Sequence, residues 1–303
     1  MKVLVIGGSY FYGRVFLMVG AKEHEITVVN RGTYSMEEFG VRQIKGDRHD
    51  AALWQQIDEN YDAIVDFCAY TSGDIATVFN NMAGRVKQYI LISTVDVYRR
   101  GTGTVKKEET LFETRHFPGE AGDYIAGKVA LEKEVQEVCG RYQCACTVLR
   151  PAILYGPYNY APRESVFIQM AVQRKVLPSF SDADGRFQFV YVKDAAEAIL
   201  KCIGNENTYG QAYNLCQNEI LDYRCFFEQL RRVSGEAPGE IPMTLAEAEA
   251  QGMPIPFPAT EAETELVSNE KSRIELGMIY TDFSVGIQKT FKAFRHVFEE
   301  QGR

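Results

Sequence analysis

Apolar and polar positions along this chain change period repeatedly. Runs rich in β-branched residues over 2–6, 25–29, 41–45, 63–67, 88–93 and 144–149 predict strands. Several are apolar at nearly every position, as strands covered on both faces must be. Segments 13–19, 50–58, 72–82 and 121–139 have helical patterning. Strand and helix in alternation imply right-handed crossovers and an α/β fold with a parallel, doubly wound sheet.

The second half is less regular. Segment 164–174 reads as helix, 187–192 as a strand feeding a helix over 193–203, and 212–215 as a short strand. Helices are expected at 222–233 and 245–251, and Pro254, Pro256 and Pro258 then forbid a regular helix. No repeat or low-complexity tract is present, and the acidic segment 261–265 reads as a solvated surface.

With 303 residues, the chain is long enough to bury about three quarters of its unfolded surface without staples. The net charge of -8 argues against a general polyanion-binding surface. No run of eighteen apolar residues is long enough to span a membrane, and residues 1–7 meet glycine too soon for a signal peptide. The seven cysteines are scattered mostly within apolar runs, and Cys144 and Cys146 share one face of a strand. Buried, reduced thiols and a cytoplasmic location are the expectation, with no metal site.

Candidate chemistry begins at Gly7-Gly8-Ser9-Tyr10-Phe11-Tyr12-Gly13, between the first strand and a helix. A glycine-rich turn there aims backbone N–H groups at a pyrophosphate. Gly7 allows the tight turn and Gly13 close helix packing, but Tyr10 takes the fingerprint position where backbone usually meets phosphate. Asn30 stands where a ribose-binding carboxylate is expected, and Arg31 follows it. That pair favours NADP over NAD, because a guanidinium matches a 2′-phosphate. Asp47 closes the third strand and can accept from an adenine amino group; Arg48 follows it.

Tyr124 and Lys128 lie four apart in a helical segment and so share a face. An ammonium beside the phenol would favour its ionised form and make it a general base near neutral pH. The ordinary alternative is an amphipathic surface pair.

Taken in order, the 7–13 loop, Leu91-Ile92-Ser93-Thr94-Val95-Asp96-Val97-Tyr98, Tyr124-xxx-Lys128, Leu149-Arg150-Pro151-Ala152-Ile153-Leu154-Tyr155-Gly156-Pro157 and Val190–Ala196 resemble the extended short-chain dehydrogenase/reductase superfamily. The match is to its NAD-dependent epimerase/dehydratase family. The wording at 7–13, 28–32 and 46–48 is similar to an atypical branch that includes chloroplast stem-loop RNA-binding proteins. Arg is common in that branch where Tyr10 stands here.

The resemblance implies a Rossmann-like dinucleotide-binding domain over 1–162, completed by about 186–218. A smaller substrate lobe would come mainly from 163–185 and 219–303. Thr94, Tyr124 and Lys128 would be catalytic, with Thr94 bonding the substrate oxygen and Lys128 also holding the nicotinamide ribose. Cofactor contacts are expected at Gly7, Ser9, Tyr10, Phe11, Tyr12, Gly13, Asn30, Arg31, Asp47, Arg48, Cys68, Ala69, Lys128, Pro151 and Ala152. Arg163, Arg174, Lys175 and Arg186 are candidates to meet a substrate diphosphate, or are solvated cations.

The implied activity is an oxidoreductase or epimerase acting on a sugar or nucleotide-sugar. Dehydration is disfavoured, because that chemistry uses Asp-Glu after the threonine and this chain has Val95-Asp96. The alternatives are an RNA-binding protein on the same scaffold, for which Arg99-Arg100 and Lys106-Lys107 form the one basic cluster, and a non-catalytic cofactor-bound sensor. A homodimer through the Tyr124 helix and the helix before it is left open.

Overall fold

Side-chain alternation along each strand decides the layers. In β1 (Lys2–Ile6), Val3 and Val5 face one side of the sheet and Leu4 and Ile6 the other, and all four are buried. The computed structural model describes residues 1–235 and 238–301. Six further strands join β1: β2 (Glu25–Asn30), β3 (Arg42–Lys45), β4 (Tyr61–Asp66), β5 (Val86–Ile92), β6 (Ala145–Pro151) and, later in the chain, β10 (Gln211–Leu215). All pair in parallel in the order β10-β6-β5-β4-β1-β2-β3. The order reverses beside β1, the crevice where ligands bind in such sheets.

Val3, Val5, Ile26, Val28, Ala63 and Val65 pack under α1 (Phe11–Gly20) and a later helix, α6 (Val192–Cys202). The opposite face is covered by α2 (Ala51–Trp54), α3 (Asp74–Met82) and the long α4 (Glu120–Arg141), through Leu53, Trp54, Phe79, Leu131 and Val135. The expected helix over 50–58 shortens to α2. Asp50 caps its start, and its end tightens into Gln56 N–H to Leu53 O and Ile57 N–H to Trp54 O bonds.

Outside the sheet a second core is rich in aromatic rings, with Ile168, Leu177, Leu230 and Ile287 between them. It gathers β7 (Ile153–Tyr155), α5 (Glu164–Gln169), β8 (Val176–Phe180), β9 (Phe189–Tyr191), α7 (Tyr223–Ser234), β11 (Gly239–Met243), α8 (Leu245–Ala250) and, beyond α9 (Glu270–Glu275), α10 (Phe283–Gln301). Phe167, Phe187, Phe189, Tyr223, Phe226, Phe257 and Phe283 meet at 4.9–6.5 Å between centroids, edge-to-face or tilted except for the stacked Phe189–Phe283 pair. Such pairs add roughly 0.5–1.5 kcal/mol each beyond area burial. No described helix is long and apolar enough to cross a membrane.

Candidate active site

The parallel strands end at two adjoining cavities. The larger, about 780 Å³, is floored by the 7–13 turn and the ends of β2 and β3; the inner one, about 460 Å³, lies over Thr94, Tyr124 and Lys128. Phe11, Phe67, Tyr70, Ile92, Leu154 and Tyr160 line both, so the two share a wall.

The turn satisfies the geometry of a phosphate cradle. Gly7 and Gly8 take φ of +88° and +75°, and Tyr10 precedes α1 without a side-chain cap, leaving first-turn N–H groups to the cleft. A Cβ on Gly13 would stand 2.3 Å from the Gly8 Cα, so α1 can lie this close only with glycine there. Asn30 accepts from Gly32 N–H (2.9 Å) and Gln43 Nε2 (2.8 Å), which leaves its Nδ2 buried without a partner at the cleft. An orphan donor at the end of β2 fits a ribose hydroxyl, and the cradle fits a dinucleotide. Arg31 lines the same cleft, exposed.

Gly7, Ser9, Tyr10, Phe11, Tyr12, Gly13, Asp47 and Cys68 line this cleft. Tyr12, however, is buried and sends its hydroxyl away to Ala195 O (2.9 Å). Arg48 lines the cleft, but its guanidinium is held by Asp66 at 2.8 and 3.0 Å and by Asp74 O at 2.8 Å; Trp54 Nε1 in turn donates to Arg48 O (2.7 Å). Its charge is therefore committed to the protein. Ala69 is buried and lines neither cavity, while Pro151 and Ala152 line the inner one. Tyr10 projects to the cleft mouth, where its ring meets Tyr34 (5.0 Å) and Tyr160 (5.7 Å).

In the inner cavity α4 places Tyr124 and Lys128 on one face. Gly127 lets the helix press against the loop after β4, since a Cβ there would meet Tyr70 O at 2.2 Å. That approach lets Lys128 Nζ donate to Ala69 O and Ile92 O, both at 2.8 Å, with the Tyr70 ring 5.1 Å away. Lys128 is buried, and desolvation lowers its pKa to about 8.

The expectation that this ammonium makes Tyr124 acidic is corrected by the structure. Lys128 Nζ lies 5.7 Å from the Tyr124 ring centroid and spends its bonds on two carbonyls. Tyr124 as a residue is 39% exposed, yet desolvation of its phenol within the cavity and the nearby Asp96 carboxylate push that group above its usual value, against weaker opposition from Arg163 and Thr94. Tyr124 is therefore neutral at rest.

Thr94 caps the turn over 95–97 by accepting from Asp96 N–H (3.2 Å), so the ordinary strand-end role is realised. Its hydroxyl also donates to Asp96 Oδ2 at 3.1 Å, which brings a carboxylate that the sequence reading left aside into the cavity.

Of the four candidate diphosphate cations, Arg163 lines the inner cavity and the other three line neither of these two. Arg186 pairs with Glu261 at 2.7 Å, and Arg174 and Lys175 end the segment after α5. The 99–107 basic cluster is neutralised in part: Arg100 bonds Asp96, buried Lys106 bonds Glu265, and Lys107 meets Glu270 at 3.4 Å.

Gly127 and Tyr70 carry the site yet lack a distinguishing signal in the sequence, whereas Asp96 stands in the Thr94-Val95-Asp96 run without a role assigned to it there. Arg150, within the family-like run, is internal: it bonds Glu132 at 2.9 Å and the Tyr98 hydroxyl at 2.6 Å, and Ser93 donates to Glu132 at 2.6 Å. Among the described residues no group of His, Cys, Asp and Glu could hold a metal.

Residues 74–216 match the NAD dependent epimerase/dehydratase family. The chloroplast stem-loop binding protein of 41 kDa b from Arabidopsis thaliana is 24% identical over 257 residues; the match covers 78% of this chain and 63% of that protein. The dTDP-glucose 4,6-dehydratase of Streptomyces niveus is 24% identical over 270 residues, 78% of each chain. Among solved structures, UDP-glucose 4-epimerase of Thermotoga maritima with UDP-glucose superposes with a TM-score of 0.77 at 17% identity, over 98% of this chain and 99% of that one. The dTDP-glucose 4,6-dehydratase of Bacillus anthracis, in complex with NAD, gives 0.78 at 20% identity over 100% of both. These likenesses show the fold.

Proposed function

We propose that this chain, matched to the NAD dependent epimerase/dehydratase family over residues 74–216, is an enzyme acting on a sugar or nucleotide-sugar with a bound pyridine nucleotide. The observation that carries the reading is the convergence of Thr94, Tyr124 and Lys128 on a cavity that shares a wall with the glycine-turn cleft. Asn30 in place of a carboxylate, beside exposed Arg31, favours NADP over NAD.

A bound nicotinamide would supply hydride transfer. Gly7, Gly13 and the start of α1 would hold its pyrophosphate, and Asn30 and Arg31 its adenosine end. Pro151 and Ala152 would pass beneath the ring. A neutral phenol suits the donor's part: Tyr124 gives its proton to a carbonyl oxygen as that carbon is reduced. Lys128, whose ammonium titrates near pH 8, would then replace one carbonyl partner with a ribose hydroxyl.

Epimerisation and simple reduction both fit. The expectation against dehydration weakens, because dTDP-glucose 4,6-dehydratases are among the relatives and Asp96 reaches the cavity beside Thr94. RNA binding is the second reading, on the name of the Arabidopsis relative and on the exposed rings of Tyr10, Tyr34 and Tyr160. The net charge of -8 and the pairing of Arg100, Lys106 and Lys107 with carboxylates weigh against it.

NADPH should bind with enhanced nicotinamide fluorescence and more tightly than NADH. Tyr124→Phe is expected to lower turnover by about 100-fold or more while leaving NADPH affinity intact. Unchanged turnover in that variant overturns the mechanism, and affinity for neither nucleotide overturns the reading.

A further inference from the structure

Segment 156–163, between β7 and α5, touches both cavities. Tyr160 lines the two of them and meets Tyr10; Asn159 and Arg163 line the inner one. Tyr158 packs under the Arg14 guanidinium of α1, 5.3 Å from its ring centroid. Apolar burial does not hold this segment. Tyr158 and Tyr160 are exposed, and Tyr158 sits at φ +69°, a region a bulky side chain seldom adopts.

Its tie is Glu164. This carboxylate is fully buried and accepts from Gly156 N–H at 3.1 Å and from Asn159 Nδ2 at 3.0 and 2.9 Å. Asn159 Oδ1 in turn accepts from Ala161 N–H at 3.0 Å. One acid thus fixes both ends of the 156–161 turn. No described cation pairs with it, although an unpaired buried carboxylate is costly unless its hydrogen bonds are retained.

We propose that Glu164 is a positioning residue: its ionised carboxylate holds the 156–163 segment against both cavities, and cofactor retention and substrate affinity depend on it. The identity of those ligands rests on the functional reading above; the ordering of the segment does not.

Burial raises the Glu164 acid to about 7 from 4.5. On protonation one oxygen stops accepting and the grip on Asn159 halves. The groups facing it are Arg163 on its own element and Tyr155 of β7, which lies near Asp194, Glu219 and Tyr191; Lys289 of α10 reaches the Tyr191 ring at 5.9 Å. Burial pushes both phenols up, away from neutral pH, and Asp194 is held by the N–H and hydroxyl of Thr281. By linkage, this raised acid makes the whole fold less stable as pH climbs from 4.5 through about 7. The restraint on the segment runs the other way, present above about 7 and lost below it.

Amide exchange over 156–163 and NADPH titration by nicotinamide fluorescence, on wild type and Glu164→Gln from about pH 6 to 8.5, test this. Gln keeps the shape of the protonated acid. Wild-type affinity should fall about tenfold toward the acid end, while Glu164→Gln stays weak throughout and exchanges faster at 156–163. KM should rise with little change in kcat. If the variant does not fold, Asn159→Ala removes the same tie and should show the same faster exchange. Equal exchange and equal affinity in variant and wild type overturn the proposal. If wild type binds no nucleotide while exchange over 156–163 still responds, the functional reading fails and the role of Glu164 stands.

Discussion

Lys128 sits between two carbonyl oxygens and two aromatic rings, buried at the wall of the inner cavity. Desolvation brings it from 10.5 to about 8, so the fold sheds this proton over a pH interval in which the unfolded chain keeps it. Below about 8 the burial of the charge weakens the fold in full; from there to 10.5 stability rises with pH. Against Lys128→Met, wild type should gain up to about 3 kcal/mol across that interval, measured by urea unfolding at stepped pH. A flat difference would refute the assigned burial. The pairing of Tyr124 and Lys128 was readable from spacing alone. The direction of the ammonium was not, because its acceptors Ala69 O and Ile92 O come from strand ends distant in sequence.

The same limit applies to elements. Strands of the parallel sheet announced themselves through continuous apolar runs, and α4 through its period. The helix α10 escaped, although Phe283, Ile287, Phe291, Phe294 and Phe298 form a stripe at i+3 and i+4 spacings, because Gly286 and the polar residues between them mask it. β8 and β11 carry Pro178 and Pro242 and form only a two-stranded pair, a weak signal by any period. The contact of α4 with the loop after β4 hangs on an absent methyl. Gly127→Ala must part the helix from Tyr70 O and should cost about 1–3 kcal/mol of stability. It should also lower turnover more than Ala at solvent-facing Gly140, where a Cβ meets nothing within 4 Å. Equal effects at the two sites would dismiss the close approach as functional.

At the scale of the molecule, Asp66 ties the side of the glycine-turn cleft to the core. From the end of β4 it accepts from Arg48, from Cys68 N–H at 2.9 Å and from the Tyr89 hydroxyl of β5, so the loop after β3, the end of β4 and β5 meet at one buried acid. Asp66→Ala would strand the Arg48 guanidinium and should cost about 3–5 kcal/mol, a large share of the roughly 5–15 kcal/mol that holds a domain. Denaturant midpoints measure it, and a change under about 1 kcal/mol would show the network to be dispensable. No sequence period marks such a residue: Asp66 lies within an apolar run and would count there as an interruption.

The Arg48 clamp has a practical consequence. The chain holds a single tryptophan, Trp54, and its indole N–H is bonded to the backbone of a residue lining the cleft floored by the 7–13 turn. Its ultraviolet emission therefore originates beside the cleft and overlaps the absorption band of a reduced pyridine ring. Binding of the proposed nucleotide would be read by quenching and energy transfer in the unlabelled protein, since every folded copy carries the same reporter at the same place.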